Sequence, residues 1–187
     1  MEGERLPTMT PLDDVILNEH ERIVFHTTHA SFDAFDEAFV GTGEDNNSAL
    51  GFFFSDDPEN IFAYAHEGRR VLVSAVHVEN PFGDLSYYEL FGYDENGGAV
   101  TSKEEFAAMR AAFLAKGYDS IEYGDNEETM LIALSSSSIR PLAWLSIEQA
   151  TELANQIGGL PNPEDDRARL DCLRAVMSGL HSEIQPL

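Results

Sequence analysis

Apolar residues along the chain fall into two rhythms, unbroken runs and sparser helical spacings, and each predicts a different element. The runs Arg22-Ile-Val-Phe-His26, Arg70–Val78 and Thr129–Leu134 are short, largely β-branched and nearly continuous, which predicts central strands of a sheet. Gly51-Phe-Phe-Phe-Ser55 and Ser120-Ile-Glu-Tyr123 predict two shorter strands. Because side chains alternate along a strand, Phe53 is expected to face away from Phe52 and Phe54.

The helical spacings carry start signals. Ser31 can cap a turn bearing Phe32, Phe35 and Phe39, and Asp57-Pro58 sets a capping carboxylate before a first-turn proline, ahead of Ile61, Phe62 and Ala65. Ser102-Lys-Glu-Glu105 is a capping box that leads into Phe106, Met109 and Phe113, with Lys116-Gly117 as the stop. After Pro141 one helix opens at Ser146 and closes at Gly158-Gly159, and a second runs from Asn162-Pro163 through Leu170, Leu173, Val176 and Met177. The expectation is an α+β domain over residues 1–141 and an appended C-terminal helical hairpin over 142–187. Cys172 is expected to be buried in that hairpin, and Trp144 to dock it.

Composition narrows the function. The 187 residues include 34 acidic and 11 basic ones, a formal charge of −23, yet 43% are hydrophobic, enough for a full core. Residues 1–140 hold 27 of the acidic and 8 of the basic residues, so the acidity belongs mainly to the first domain. A field of that sign repels phosphate backbones and anionic membranes, which argues against direct nucleic-acid or membrane binding. The single cysteine makes no internal disulfide, and no apolar run approaches the ~20 residues of a bilayer span; both fit a cytoplasmic protein. Six histidines form no metal-binding spacing, and no phosphate-binding glycine loop follows a strand, so no metal is expected.

What remains is an ordered series. Phe25-His26-Thr27-Thr28 ends the first strand. Gly51-Phe52-Phe53-Phe54-Ser55 follows, then Ala63-Tyr64-Ala65, then Asn80-Pro81 after the long strand, then Gly117-Tyr118-Asp119-Ser120-Ile121, and finally the acidic Asp125-Asn-Glu-Glu128 before the last apolar run. Over residues 22–141 this series resembles the ADP-ribosyltransferase superfamily, in particular its diphtheria-toxin and poly(ADP-ribose)-polymerase-like branch with compact phage and bacterial members.

The resemblance implies split mixed β-sheets around an NAD+ cleft. It implies that His26 hydrogen-bonds a ribose hydroxyl and that the backbone of Thr27 clamps the nicotinamide carboxamide, with Thr28, Gly51 and Ser55 completing the two strand motifs. Phe53 and Tyr64 match the rings that sandwich the nicotinamide. The family's catalytic carboxylate stabilises an oxocarbenium-like state. Counting back four residues from Leu134 lands on Met130, so the acid is expected among Glu128, Asp125 and Glu127, in that order of preference.

The expected function is mono-ADP-ribosyl transfer from NAD+ to a macromolecule with release of nicotinamide, by a host-modifying phage protein or bacterial effector. The charge of −23 does nothing for an anionic cofactor and points to a basic protein target. The alternatives are an inactive acidic binding protein that mimics nucleic acid, and an NAD glycohydrolase.

Overall fold

The computed structural model describes residues 11–30, 32, 34–57, 70–92, 101–125 and 128–179. Seven strands lie in them: β1 (Glu21–Thr28), β2 (Phe52–Ser55), β3 (Arg70–His77), β4 (Pro81–Leu85), β5 (Ser120–Asp125), β6 (Glu128–Ala133) and β7 (Ile139–Leu145). They form one mixed sheet in the order β4-β5-β6-β2-β1-β3-β7, in which β4 and β5 alone run parallel. The described helices are α1 (Tyr87–Phe91), α2 (Lys103–Ala115), α3 (Ile147–Gly158) and α4 (Asp166–Met177). The chain is therefore α+β, as its hydrophobic pattern predicts.

The sheet has a seam. β1 pairs with β3 along its whole length, from Glu21↔His77 to Thr28↔Arg70, and β2 pairs fully with β6, from Phe52↔Ala133 to Ser55↔Met130. Between β1 and β2 the register contains a single pair, Phe25↔Ser55. Two half-sheets thus meet at one point, the form that the expected split takes here.

Alternation assigns the two faces. On one face Val24, Phe52, Phe54, Val76, Leu131, Ala133 and Ile139 cluster beneath Phe35 and Val40. On the other, α3 and α4 cover Ile23, Phe25, Val71, Val73, Ala75, Ala143 and Leu145, whereas α1 and α2 cover Phe53, Ile121, Tyr123 and Ile132. Phe53 does face away from Phe52 and Phe54. The hairpin α3–α4 shares the core of the β1-β3-β7 half. On the first face Arg22 of β1 reaches Glu122 of β5 at 2.6 Å, past two intervening strands, so the sheet curls over that side.

The capping box at Ser102 forms as the sequence predicts, Ser102 accepting from the Glu105 N–H, and helix α3 opens at Ser146 as expected, there with a box in which Ser146 accepts from the Gln149 N–H; each partner side chain reaches back to the cap backbone. Other expectations fail. Where a helix is expected across Phe32–Phe39, the described residues form one 3-10 turn, Glu37–Phe39, capped by Asp36, and Phe32 and Phe35 turn inward onto the sheet instead of lying along one helical stripe. Helix α4 begins at Asp166, three residues beyond Pro163, where Asp165 accepts from the Arg167 and Ala168 N–H groups. Trp144 does not dock the hairpin: Ala143 and Leu145 do, and alternation turns Trp144 to the opposite face. Cys172 is half-buried at the edge of that core. The helix expected after Asp57-Pro58 lies outside the described residues.

Three elements had no counterpart in the hydrophobic pattern: β4, α1 and β7. Pro141 disguises β7. It sits on the outermost strand, where a missing N–H is tolerated, next to a register shift between Val73 and Ser74.

Candidate functional site

Ladder geometry determines what the seam exposes. In an antiparallel ladder, residues alternate between turning their N–H and C=O to one neighbour and to the other. The Val78 N–H donates to the His20 carbonyl at 2.8 Å, which assigns even-numbered positions of β1 to β3 and leaves Ile23, Phe25 and Thr27 facing β2. Likewise the Asp56 N–H donates to Thr129 at 3.1 Å, so even positions of β2 face β6 while Phe53 and Ser55 face β1.

Phe25 and Ser55 therefore bond each other, and the positions on either side of them must find other partners. Below the pair, helix α4 supplies them. The Ile23 N–H donates to Asp166 Oδ1 at 2.7 Å, and Arg169, only 5% exposed, donates to the Ile23 carbonyl at 3.2 Å. The same guanidinium bonds the Asp56 carbonyl at 3.0 Å and the Asp56 carboxylate at 2.5 Å, tying the end of β2 to β1. Burial pushes the Asp166 carboxyl above its ordinary pKa, against the lowering pull of the Ile23 N–H and Arg169.

Above the pair, Thr27 and Phe53 would be the next ladder partners, and no pair forms between them. Instead His26 reaches across: its Nδ1–H donates to the Phe53 carbonyl at 2.8 Å. A carbonyl only accepts, so Nδ1 carries the hydrogen, and in the neutral ring Nε2 is the acceptor. The opening of the seam is thus a place where Thr27 turns an N–H and a C=O on one extended residue toward a gap, beside a histidine of fixed tautomer.

The remaining motif positions shape this opening. A Cβ on Gly51 would stand 2.5 Å from the Ala133 carbonyl oxygen, so only glycine lets β2 start this close to β6. Ser55, 6% exposed, donates its hydroxyl to the Asp57 carbonyl at 2.8 Å and accepts the Asp57 N–H at 3.1 Å, holding the turn out of β2. Thr28 Oγ1 accepts from the Ala30 N–H at 3.1 Å and turns the chain out of β1. The Phe53 ring stacks on Phe91 of α1, centroids 6.4 Å apart. Tyr64 and Glu127 lie outside the described residues.

The acidic hairpin is placed by register. Asp125 pairs with Glu128, and Met130 lies opposite Ser55. Ile132 is level with Phe53, so the start of β6 is four residues, roughly 13 Å, along the strand from the seam opening. Met130 is half that far.

Two features of the site were not visible in sequence. The Asp56–Arg169–Asp166 group joins residues over 100 positions apart, and nothing local marks Arg169 as buried. The second is a row across β1, β3 and β7: His26 pairs with Leu72, and Leu72 with Trp144. Phe32 bridges its ends, edge-on to His26 at 6.3 Å and to Trp144 at 5.4 Å, and the Arg70 guanidinium lies over the indole at 5.6 Å. Reading Ile139–Leu145 as a strand would have exposed Trp144.

The α+β fold, a seven-stranded mixed sheet with a few helices, is that of an ADP-ribosyltransferase-like domain. The family model for the ADP-ribosyltransferase in polyvalent proteins matches residues 20–142, and the chain belongs to that family. The family transfers ADP-ribose, with NAD+ as the substrate. No curated protein and no solved structure matches the chain. Among the described residues no helix is long and apolar enough to cross a membrane, and no group of histidine, cysteine, aspartate and glutamate could hold a metal ion.

Proposed function

We propose that the protein is a mono-ADP-ribosyltransferase that modifies a basic protein and releases nicotinamide. The observation that carries this reading is the open seam: the β2-facing backbone of Thr27 offers a donor and an acceptor, the complement of a primary carboxamide, beside His26. Thr27 takes the carboxamide and His26 Nε2 accepts from a ribose hydroxyl. Phe53 and Tyr64 are the rings proposed to flank the nicotinamide, and the proposed carboxylate is Glu128, then Asp125, then Glu127, on the hairpin whose β6 end starts four residues along the strand from the opening.

In this reaction the glycosidic C1′–N bond breaks and its electron pair leaves with nicotinamide. The cationic ribose that develops is stabilised by the carboxylate. The acceptor atom then bonds C1′ and gives up its proton to the carboxylate. Chain elongation would need this product to serve as the next acceptor, and the methionine at position 130, where the polymerase-like pattern has glutamate, supports single transfer.

The target is read from charge. A surface of −23 attracts a cationic partner electrostatically, so capture should weaken steeply as salt rises. A partner whose affinity ignores ionic strength contradicts this part of the reading. Small acidic transferases of this kind suit an effector of phage or bacterial origin working in the cytoplasm of its target cell.

The test is incubation of the purified chain with labelled NAD+ and a bacterial lysate. Labelled protein and free nicotinamide, both lost in His26→Ala, are expected. Free ADP-ribose without a labelled target would make the protein a glycohydrolase. Neither product would leave an acidic binding protein.

A further inference from the structure

We propose that Trp144 and Arg70 form the seat of the adenosine diphosphate half of the dinucleotide, with adenine against the indole and the diphosphate on the guanidinium. The proposal rests on the NAD+ reading above and extends it to the far end of the same ligand.

Position is the first support. Trp144 is level with His26 through Leu72, on the same face, two strand spacings or roughly 10 Å away. A dinucleotide whose nicotinamide is held at Thr27 and whose ribose is held at His26 reaches that distance when extended along the row. Phe32 touches both ends of the row, edge-on to the imidazole and to the indole.

Chemistry is the second. Trp144 contributes nothing to the hairpin core, which its neighbours Ala143 and Leu145 fill, and it stays half-buried with its ring in an aromatic array. Arg70 lies on the same face, two residues before Leu72, and its guanidinium sits within cation–π range of the indole at 5.6 Å. A guanidinium stacked on an indole keeps its N–H donors at the edge of its plane, where two phosphate oxygens can take them side by side. In a chain with 34 acidic and 11 basic residues, a diphosphate meets repulsion almost everywhere, and a cation fixed on the row offsets it locally.

Trp144 is the chain's one tryptophan, so its emission reports the seat directly. ADP and ADP-ribose titrated into the full chain should quench it saturably, whereas nicotinamide alone should leave it unchanged. By calorimetry Arg70→Gln should weaken ADP and ADP-ribose at least tenfold without altering nicotinamide affinity. Trp144→Phe should weaken ADP-ribose several-fold. If Arg70→Gln does not fold, Arg70→Lys keeps the charge without the planar fork and should still weaken ADP several-fold.

Calorimetric binding of NAD+ with no change in Trp144 emission, or ADP affinity unchanged in the arginine variant, overturns the seat and leaves the NAD+ reading standing. Absence of any binding of NAD+ and nicotinamide overturns both.

Discussion

The imidazole of His26 occupies the hydrogen-bonding place that an unbroken sheet would have given to the backbone of Thr27, donating from Nδ1 to the Phe53 carbonyl at 2.8 Å. One side chain therefore both closes the seam and keeps it open: it satisfies the β2 carbonyl, so β1 and β2 need not zip together past Phe25.

Substitutions at His26 should separate the two roles. An asparagine side-chain N–H can stand near the Nδ1 position and keep the Phe53 bond, but it offers nothing at the place of Nε2. His26→Asn is expected to retain nearly full stability and lose transferase activity, while His26→Ala loses activity and about 1 kcal/mol as well. Thermal melts beside nicotinamide-release assays check this. An active asparagine variant would remove Nε2 from the mechanism.

The acid can be assigned by single replacements. Glu128→Gln is expected to lower nicotinamide release at least 100-fold, in line with removal of one electrostatic contact to a transition state, with Asp125→Asn and Glu127→Gln having smaller effects. Full activity in all three variants would show that the hairpin does not supply the carboxylate.

Arg169 is expected to be the most costly single loss outside the hydrophobic core. Replacing it with methionine strips hydrogen bonds from the Ile23, Asp56 and Pro163 carbonyls and leaves the Asp56 carboxylate unpaired. Breaking a buried pair by removing one partner costs about 3 kcal/mol or more. For a chain of this size that is a fall in melting temperature of roughly 6–12 °C, measurable by calorimetry.

Asp166 should make stability depend on pH in an unusual direction for a carboxylate. Burial raises its folded pKa above the ordinary 3.8, so the folded state holds the proton more tightly than the unfolded chain. The stabilising contribution is fully present below the ordinary value and is lost as pH rises through the raised one. Asp166→Asn, which keeps an acceptor for the Ile23 N–H, should melt at or above the wild type at pH 7, with the difference closing toward pH 4. Asp166→Ala lacks the acceptor and should melt lower at both pH values.

Glu37 should behave oppositely. Burial pulls its pKa up, but the Ser136 N–H, Arg110 and Ser135 outweigh that and hold it below 4.5. Its carboxylate latches the loop between β1 and β2 onto Arg110 of α2 and the Ser136 backbone. That contribution is present above the ordinary value and is lost as pH falls through the lowered one. Hydrogen exchange at the Ser136 amide should accelerate, after correction for intrinsic rates, below that point, and Glu37→Gln should show the faster exchange already at pH 7. Because Glu37 is half exposed, the effect on global melting should be small.

Local pattern carried much of this molecule. The continuous apolar runs are strands because each is buried on both faces, and the capping boxes at Ser102 and Ser146 are helix starts because the bonds that make them span only three residues. Phe32 and Phe35 misled in the other direction: their spacing is helical, yet the aromatic cluster over His26 and Phe54 draws them out of any helix.

The sequence by itself determined strands β1, β2, β3, β5 and β6 and the starts of helices α2 and α3, the family to which the order of its motifs belongs, and the placing of His26 and Thr27 at the end of β1. Only the tertiary structure decided that β1 and β2 share a single pair, that helix α4 caps one side of the gap through Asp166 and Arg169, and that Trp144 lies in the row of His26. The reason is physical: alternation and capping act over two to four residues, whereas the seam is set by which distant strand or helix satisfies each backbone group, and no local pattern records that competition.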